Sequence, residues 1–195
     1  LDDAAGEAYD KVAKLLYLGY PGGVVIERIS RGVDHGEIDF PRPLLNDDTY
    51  DFSFSGLKTA VLNRVLKEEI FEHVDLSFSG LPEEKKPLPG KEGMVPKIAA
   101  AFQAAVIDVL VAKAFKAVAD HGMNLLVVTG GVASNGALRD ALWQKAEEKG
   151  VRLVIPDRKY CTDNAAMIGI AGIRSIKEGR RASLDMNAVS RWDRG

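Results

Sequence analysis

The stretch from Val95 to about Asp120 constrains this chain more than any other. It is rich in Ala, Val, Ile and Leu and reads as one long helix that is apolar almost all round. A helix without a polar face has to be buried, so the rest of the chain is expected to pack around it. No uninterrupted apolar run reaches the roughly 18 residues that a membrane span needs. The helix is therefore expected at the centre of a core and not in a bilayer.

The segment after this helix sets the fold class. Gly122 ends the helix, and Leu125-Leu126-Val127-Val128 is a short continuous apolar run. Such a run suits a fully buried parallel strand. Gly130 to Asn135 reads as a loop, Gly136–Lys149 as a helix, Val151–Ile155 as a second strand stopped by Pro156, and Asp163 to Lys177 as a last helix. Strand, helix, strand, helix argues for a parallel sheet with crossover helices, an α/β class. The part before residue 121 is mainly helical. Helices are expected over 2–18, over 24–30, and from Ser55 or Gly56 to about Glu69. The alternation Asp51-Phe52-Ser53-Phe54 suits a short strand.

Residues 80–93 hold three prolines and three glycines among charges and read as a flexible, solvated loop. Asp51–Leu57 resembles Asp75–Leu81, but the second copy runs into Pro82, and coincidence is the simpler reading. The organisation expected is a mainly helical segment, 1–120, and an α/β segment, 121–195. Two strands are too few to close the edges of a parallel sheet. The abrupt start at Leu1 fits a chain that lacks an upstream lobe.

Composition excludes several classes. The 195 residues carry a net charge of -2, so no basic field announces a nucleic-acid partner. One cysteine, Cys161, rules out an internal disulfide or a multi-cysteine zinc site. The three histidines, His35, His73 and His121, have no helical metal-site spacing. No charged-then-apolar leader is present, which leaves a cytoplasmic location as the expectation.

Four stretches could carry chemistry. Thr129–Gly136 lies between a buried strand and a helix, where parallel sheets bind ligands. Its paired glycines allow close backbone approach, and Asn135 can both donate and accept. The plain alternative is a turn capped by Ser134 or Asn135. Pro156–Met167 contains Asp163, either an oxygen ligand to a metal or, with Thr162, a helix cap. Cys161 has no histidine near in sequence to make it a nucleophile. Asp10, Gly23 and Glu27 bracket a Gly-Gly turn at which an acid could hold ribose hydroxyls. The alternative makes Asp10 an ordinary exposed helical acid. Phe52–Thr59 is a possible ligand edge, though an aromatic core stripe with a capping serine is preferred. The stretch from Arg174 to Arg194 has six positive and three negative side chains, enough for phosphate contacts.

Together these segments resemble the C-terminal part of the TsaD family, the tRNA N6-adenosine threonylcarbamoyltransferases once called O-sialoglycoprotein endopeptidases. The matching segments are Asp2–Lys11, Gly19–Gly23, Phe40–Pro43, Ser53–Ala60, Gly130–Asn135 and Cys161–Ile168, in the family's order. The resemblance implies an actin-like, sugar-kinase-like ATPase (ASKHA) fold of two lobes with a cleft. It implies transfer of threonylcarbamoyl from threonylcarbamoyl-AMP to N6 of the adenosine next to a tRNA anticodon, together with TsaB-like and TsaE-like partner proteins. It implies one divalent metal ion, iron or zinc, with Asp163 as a ligand. Asp10, Gly23, Glu27 and Asn135 would contact the adenylate, with Glu27 standing where an Asp is expected. No residue is an evident general base.

The family's His-x-x-x-His metal motif and its Ser-Gly-Gly-His-Thr segment do not occur here. One carboxylate cannot complete a coordination sphere, so the metal site is expected to be incomplete and the chain inactive alone. Two other classes stay open: a non-catalytic nucleotide-binding or partner-docking module, and a metallopeptidase, for which no zinc motif speaks.

Overall fold

The computed structural model describes residues 2–74 and 85–183. The second copy of the near-repeat, the start of the 80–93 loop and the basic tail beyond Ala182-Ser183 lie outside the described residues. Seven helices run α1 (Ala5–Leu15), α2 (Gly22–Ser30), α3 (Ser55–Lys67), α4 (Met94–Asp120), α5 (Gly136–Lys149), α6 (Arg158–Cys161) and α7 (Ala165–Lys177) among the described residues. Two strands, β1 (Leu125–Val127) and β2 (Arg152–Val154), pair in parallel with Leu126 opposite Leu153. The architecture is helix-rich α/β with a small parallel sheet.

The apolar helix organises the molecule as its composition requires. Ile98, Ala99, Phe102, Ala105 and Val106 of α4 are almost wholly shielded. They pack with Val12 and Leu16, with Ile26, and with Leu57, Val61 and Val65 of the other N-terminal helices. By length and composition α4 could cross a membrane. Here its first four turns fill a core instead. Its C-terminal half turns one side to a second, smaller core with Ile107, Phe115, Leu138, Leu142 and Leu153.

Contact between α1 and α2 depends on glycine. A Cβ on Gly22 would lie 2.5 Å from the Tyr9 carbonyl oxygen and 2.6 Å from Asp10 Cα. No side chain fits there without moving backbone. That closeness sets the spacing of everything the two helices carry.

Several expectations are corrected. α1 begins at Ala5, not residue 2, because Asp2 and Asp3 serve other partners. Asp2 Oδ1 accepts from the Ser55 N–H at 2.8 Å, and Asp3 Oδ1 from Lys11 Nζ at 2.7 Å. Asp2 thus caps α3, whose own preceding residue Phe54 offers no side-chain cap. Residues 51–54 form no strand, and Phe54 already has helical dihedrals, φ -93° and ψ -17°. Phe54 is buried while Phe52 is 39% exposed, their rings stacked at 5.7 Å. The last helix expected over Asp163 to Lys177 is α7, starting two residues later, and a short helix that was not expected, α6, precedes it.

The sheet is covered on one face only. Leu126, Val128 and Leu153 point to the second core, whereas Val127 is 58% and Val154 45% exposed. The full burial expected of the Leu125–Val128 strand is therefore not found. α7 goes further and has no buried residue at all.

Candidate functional site

Asp10 sits on the side of α1 that faces the start of α2. Its Oδ1 accepts from the Gly22 N–H at 2.8 Å, so it caps α2 from a neighbouring helix. It is half-buried, not the exposed acid of the simpler alternative. Its second oxygen has no hydrogen-bond partner among the described residues. Gly23 follows, and a Cβ there would meet nothing within 4 Å, so its backbone is open to a ligand.

One turn later Glu27 Oε1 accepts from the Gly136 N–H at 3.0 Å, capping α5. Arg31 Nη2 stands 4.0 Å from the same carboxylate. Tyr9 is buried beside them, its ring edge-on to Phe102 at 5.2 Å. Burial, and then the charge of Glu27, pushes the Tyr9 hydroxyl well above the usual phenol range.

The opposite wall comes from the end of β1. The chain turns at Gly130 with φ +100°, a conformation L side chains rarely adopt, and makes a 3-10 turn over Gly131–Ser134. Asn135 then caps α5, its Oδ1 accepting from the Leu138 N–H at 3.0 Å. Its Nδ2 donates to Gln103 Oε1 of α4 at 2.8 Å. Of the two caps considered, Asn135 is the one used, and its other end is also engaged.

Asp10, Gly23, Glu27 and Asn135 line one cavity of about 520 Å³, together with Tyr9, Val24 and Val132. A polar chamber of about 390 Å³ opens on the far side of Glu27, bounded by Ser30, Arg31, Gln103, Asp140 and Arg158. The Ser30 hydroxyl is buried there without a hydrogen-bond partner among the described residues.

Asp163 lines a neighbouring cavity of about 390 Å³ with Thr129, Gly130, Tyr160 and Met167. Gly131 and Thr162 border both this cavity and the larger one, so the two adjoin. Asp163 is exposed and is not a cap, since Asn164 Oδ1 accepts from the Met167 N–H at 3.0 Å. Among the described residues no three His, Cys, Asp or Glu side chains come together as a metal would require. His35, His73 and His121 line neither cavity. The donor set present here does not by itself fit a metal ion.

Cys161 is buried, its Sγ 3.6 Å from the Pro156 carbonyl and 3.7 Å from that of Asp157. That is a packing role, with no base beside it. The Phe52–Thr59 stretch lines neither cavity, and Phe54 belongs to the core. In the basic stretch, Arg174 and Arg180 both pair with Glu178.

Two residues were missed by sequence reasoning. Arg139 Nη1 donates to the Ala133 carbonyl and Nη2 to the Pro156 carbonyl, each at 2.8 Å. It ties the Gly-Gly loop to the segment leading into Asp163. No spacing signals this, because its acceptors are backbone oxygens. Gln103 did leave a signal: an amide buried midway along an otherwise apolar helix needs a partner.

Comparison with known proteins joins these observations. The chain matches a family model described as TsaD, tRNA N6-adenosine threonylcarbamoyltransferase, over residues 1–170. It is 46% identical over 192 residues to a protein of Geobacter sulfurreducens, covering 98% of this chain and 51% of that one. A protein of Thermosipho africanus is 42% identical over 189 residues, 97% of this chain and 51% of its own length. One from Clostridium botulinum is 45% identical over 188 residues, 96% and 50% respectively. All three bear the name tRNA N6-adenosine threonylcarbamoyltransferase. The chain spans about half the length of these curated relatives.

Proposed function

The chain belongs to the TsaD family, and from that premise we propose that it is the adenylate-binding portion of a tRNA threonylcarbamoyltransferase with an actin-like, two-lobed fold. The whole protein would transfer threonylcarbamoyl from threonylcarbamoyl-AMP to N6 of the adenosine beside the anticodon. The observation that carries this reading is the convergence of Asp10, Gly23, Glu27 and Asn135 on one cavity, from positions up to 125 residues apart.

The chemistry of the lining fits an adenosine phosphate. Each acid spends one carboxylate oxygen on a helix N-terminus and keeps the other for a ribose hydroxyl. Those bonds also hold the carboxylates in place, so little side-chain entropy is lost when a ligand binds. Gly23 lets the ligand lie against backbone. The polar chamber beyond Glu27, with Arg31 and Arg158, suits the base. The glycine loop beside Asp163 suits the phosphate and the acyl group it carries.

Asp163 is the residue of this chain that would ligate a metal, iron or zinc, with the remaining donors supplied from elsewhere in the whole protein. A metal so held would supply Lewis acidity. This chain's own part is to bind and orient. The adenosine amine is a poor nucleophile, so orientation is where much of the rate must come from. TsaB-like and TsaE-like partners and a cytoplasmic setting belong to the same reading. No observation favours the metallopeptidase. The nucleotide-binding module remains as the second reading, because the cavity would bind an adenylate with or without transfer.

Two measurements test the proposal. Isothermal titration with AMP should give saturable binding that Asp10→Ala and Glu27→Gln each weaken about tenfold, the loss expected of one charge-assisted hydrogen bond. Purified chain with threonylcarbamoyl-AMP, tRNA and partner proteins should leave tRNA unmodified, since the metal donors are incomplete. Absence of AMP binding overturns the adenylate site. Robust modification by this chain alone overturns the division of labour.

A further inference from the structure

We propose that Gln103 is a positioning residue for the ligand cavity. It locks the Asn135 side-chain amide so that Asn135 presents an N–H, and not an oxygen, to whatever binds there. The inference rests on the adenylate reading and adds a polarity to it.

The geometry begins with α4. Gln103 is 7% exposed in a helix whose neighbours Ala99, Phe102 and Val106 are all core. A buried primary amide is costly unless it is bonded. Its Oε1 accepts from Asn135 Nδ2 at 2.8 Å. Asn135, also 7% exposed, has its Oδ1 fixed by the Leu138 N–H at 3.0 Å. Turning the Asn135 amide over would set Nδ2 against the Leu138 donor and lose that cap, and the Gln103 bond would survive only if the Gln103 amide turned as well.

The pair also divides two chambers. Asn135 lines the larger cavity with Asp10 and Glu27, while Gln103 lines the polar chamber beyond Glu27. The Asn135–Gln103 hydrogen bond is thus part of the partition between them. One Nδ2 hydrogen goes to Gln103, and the other is what remains for a ligand. The ligand atom facing Asn135 must therefore be an acceptor: a ring nitrogen, or a ribose or phosphate oxygen. Asp10 and Glu27 opposite demand donors, as ribose hydroxyls are. The lining is accordingly polarised, acceptors from α1 and α2 facing a donor from the Gly-Gly loop.

Two substitutions separate this role from packing alone. Gln103→Leu keeps volume and removes the acceptor. Asn135→Asp keeps the helix cap, lets the Gln103 amide rotate to donate, and replaces the N–H offered to the ligand with a charged acceptor oxygen. AMP binding by isothermal titration and thermal unfolding are measured for wild type, both single variants and the double variant. Q103L is expected to weaken AMP binding about tenfold. N135D should weaken it at least as much, with an unfolding midpoint close to wild type. The double variant should bind no worse than N135D, because both changes remove the same oriented donor.

A folded Q103L chain that binds AMP like wild type overturns the inference, whatever its midpoint. So does an N135D chain with unchanged affinity. Should Q103L fail to fold, N135D decides the matter, since its cap and partition bond persist. Wild type that does not bind AMP overturns the adenylate reading and this inference with it. Normal wild-type binding with unaffected variants overturns only the positioning role.

Discussion

At Gly22 one missing methyl group decides how two helices meet. A Cβ would come within 2.5 Å of one backbone atom and 2.6 Å of another, so Gly22→Ala has to separate α1 from α2. Overpacking against backbone costs on the order of 1–3 kcal/mol. We expect a lower midpoint in urea unfolding and weaker AMP binding, because Asp10 loses its place beside the Gly22 N–H. Gly23→Ala is the control: it meets nothing within 4 Å and should leave stability nearly unchanged. Asp2 gives a pH-dependent counterpart. Burial raises its pKa, but hydrogen bonds from the Ser53 hydroxyl and the Ser55 and Asp3 N–H groups prevail and hold it at about 2, below its ordinary 3.8. An acid held low contributes stability above its unfolded value and loses it as pH falls through the folded one. The acid limb of the unfolding midpoint between about pH 4 and pH 2 should therefore flatten in Ser53→Ala. An unchanged limb would remove Asp2 from the account.

Elements were legible in the sequence where their signals are local. α4, α5 and both strands lie within a few residues of their expected bounds, because apolar runs, glycine stops and Pro156 are read in place. Residues 51–54 misled because alternation reports which side chains face inward, not whether a partner strand exists. The caps of α2 and α3, and the bond that Glu27 adds at the start of α5, were illegible for a different reason. Asp10 acts 12 residues from Gly22, Asp2 53 residues from Ser55, and Glu27 109 residues from Gly136. No window along the chain contains such a pair. Asp10, Gly23 and Glu27 were grouped along the chain, Asn135 joined them only through the family resemblance, and the cavity that they share emerged only from the fold. Arg139 belongs at this scale too, since it joins two loops through the carbonyls of Ala133 and Pro156 and also reaches Cys161 Sγ at 3.8 Å. Arg139→Met should cost about 1–3 kcal/mol, the usual loss for charged donors to carbonyls with part exposure. Hydrogen exchange should quicken in residues 129–135 and 156–164 together. Exchange that rises in one loop alone would mean that they are not coupled through this side chain.

The whole molecule has two unequal surfaces. Around α4 the core is closed, but Ile168, Ile170, Ile173 and Ile176 of α7 are each 57–70% exposed, and Val127 and Val154 of the sheet are open. Parallel sheets are normally covered on both faces, and exposed apolar groups this close together mark a surface meant for contact. A chain that spans half the length of its relatives has a natural candidate for that cover in the remainder of the family protein. The consequence for this chain alone is unusual, because removing large apolar residues should do no harm. Ile170→Lys with Ile173→Lys deletes no buried contact, so stability should stay within about 0.5 kcal/mol. Solubility should rise, and any self-association seen by sedimentation should fall. The same pair placed in a full-length relative should instead lower the unfolding midpoint or the yield of folded protein, if the other half covers this face. A full-length relative that tolerates both lysines would show that α7 faces solvent throughout the family, and its isoleucines would then need another partner.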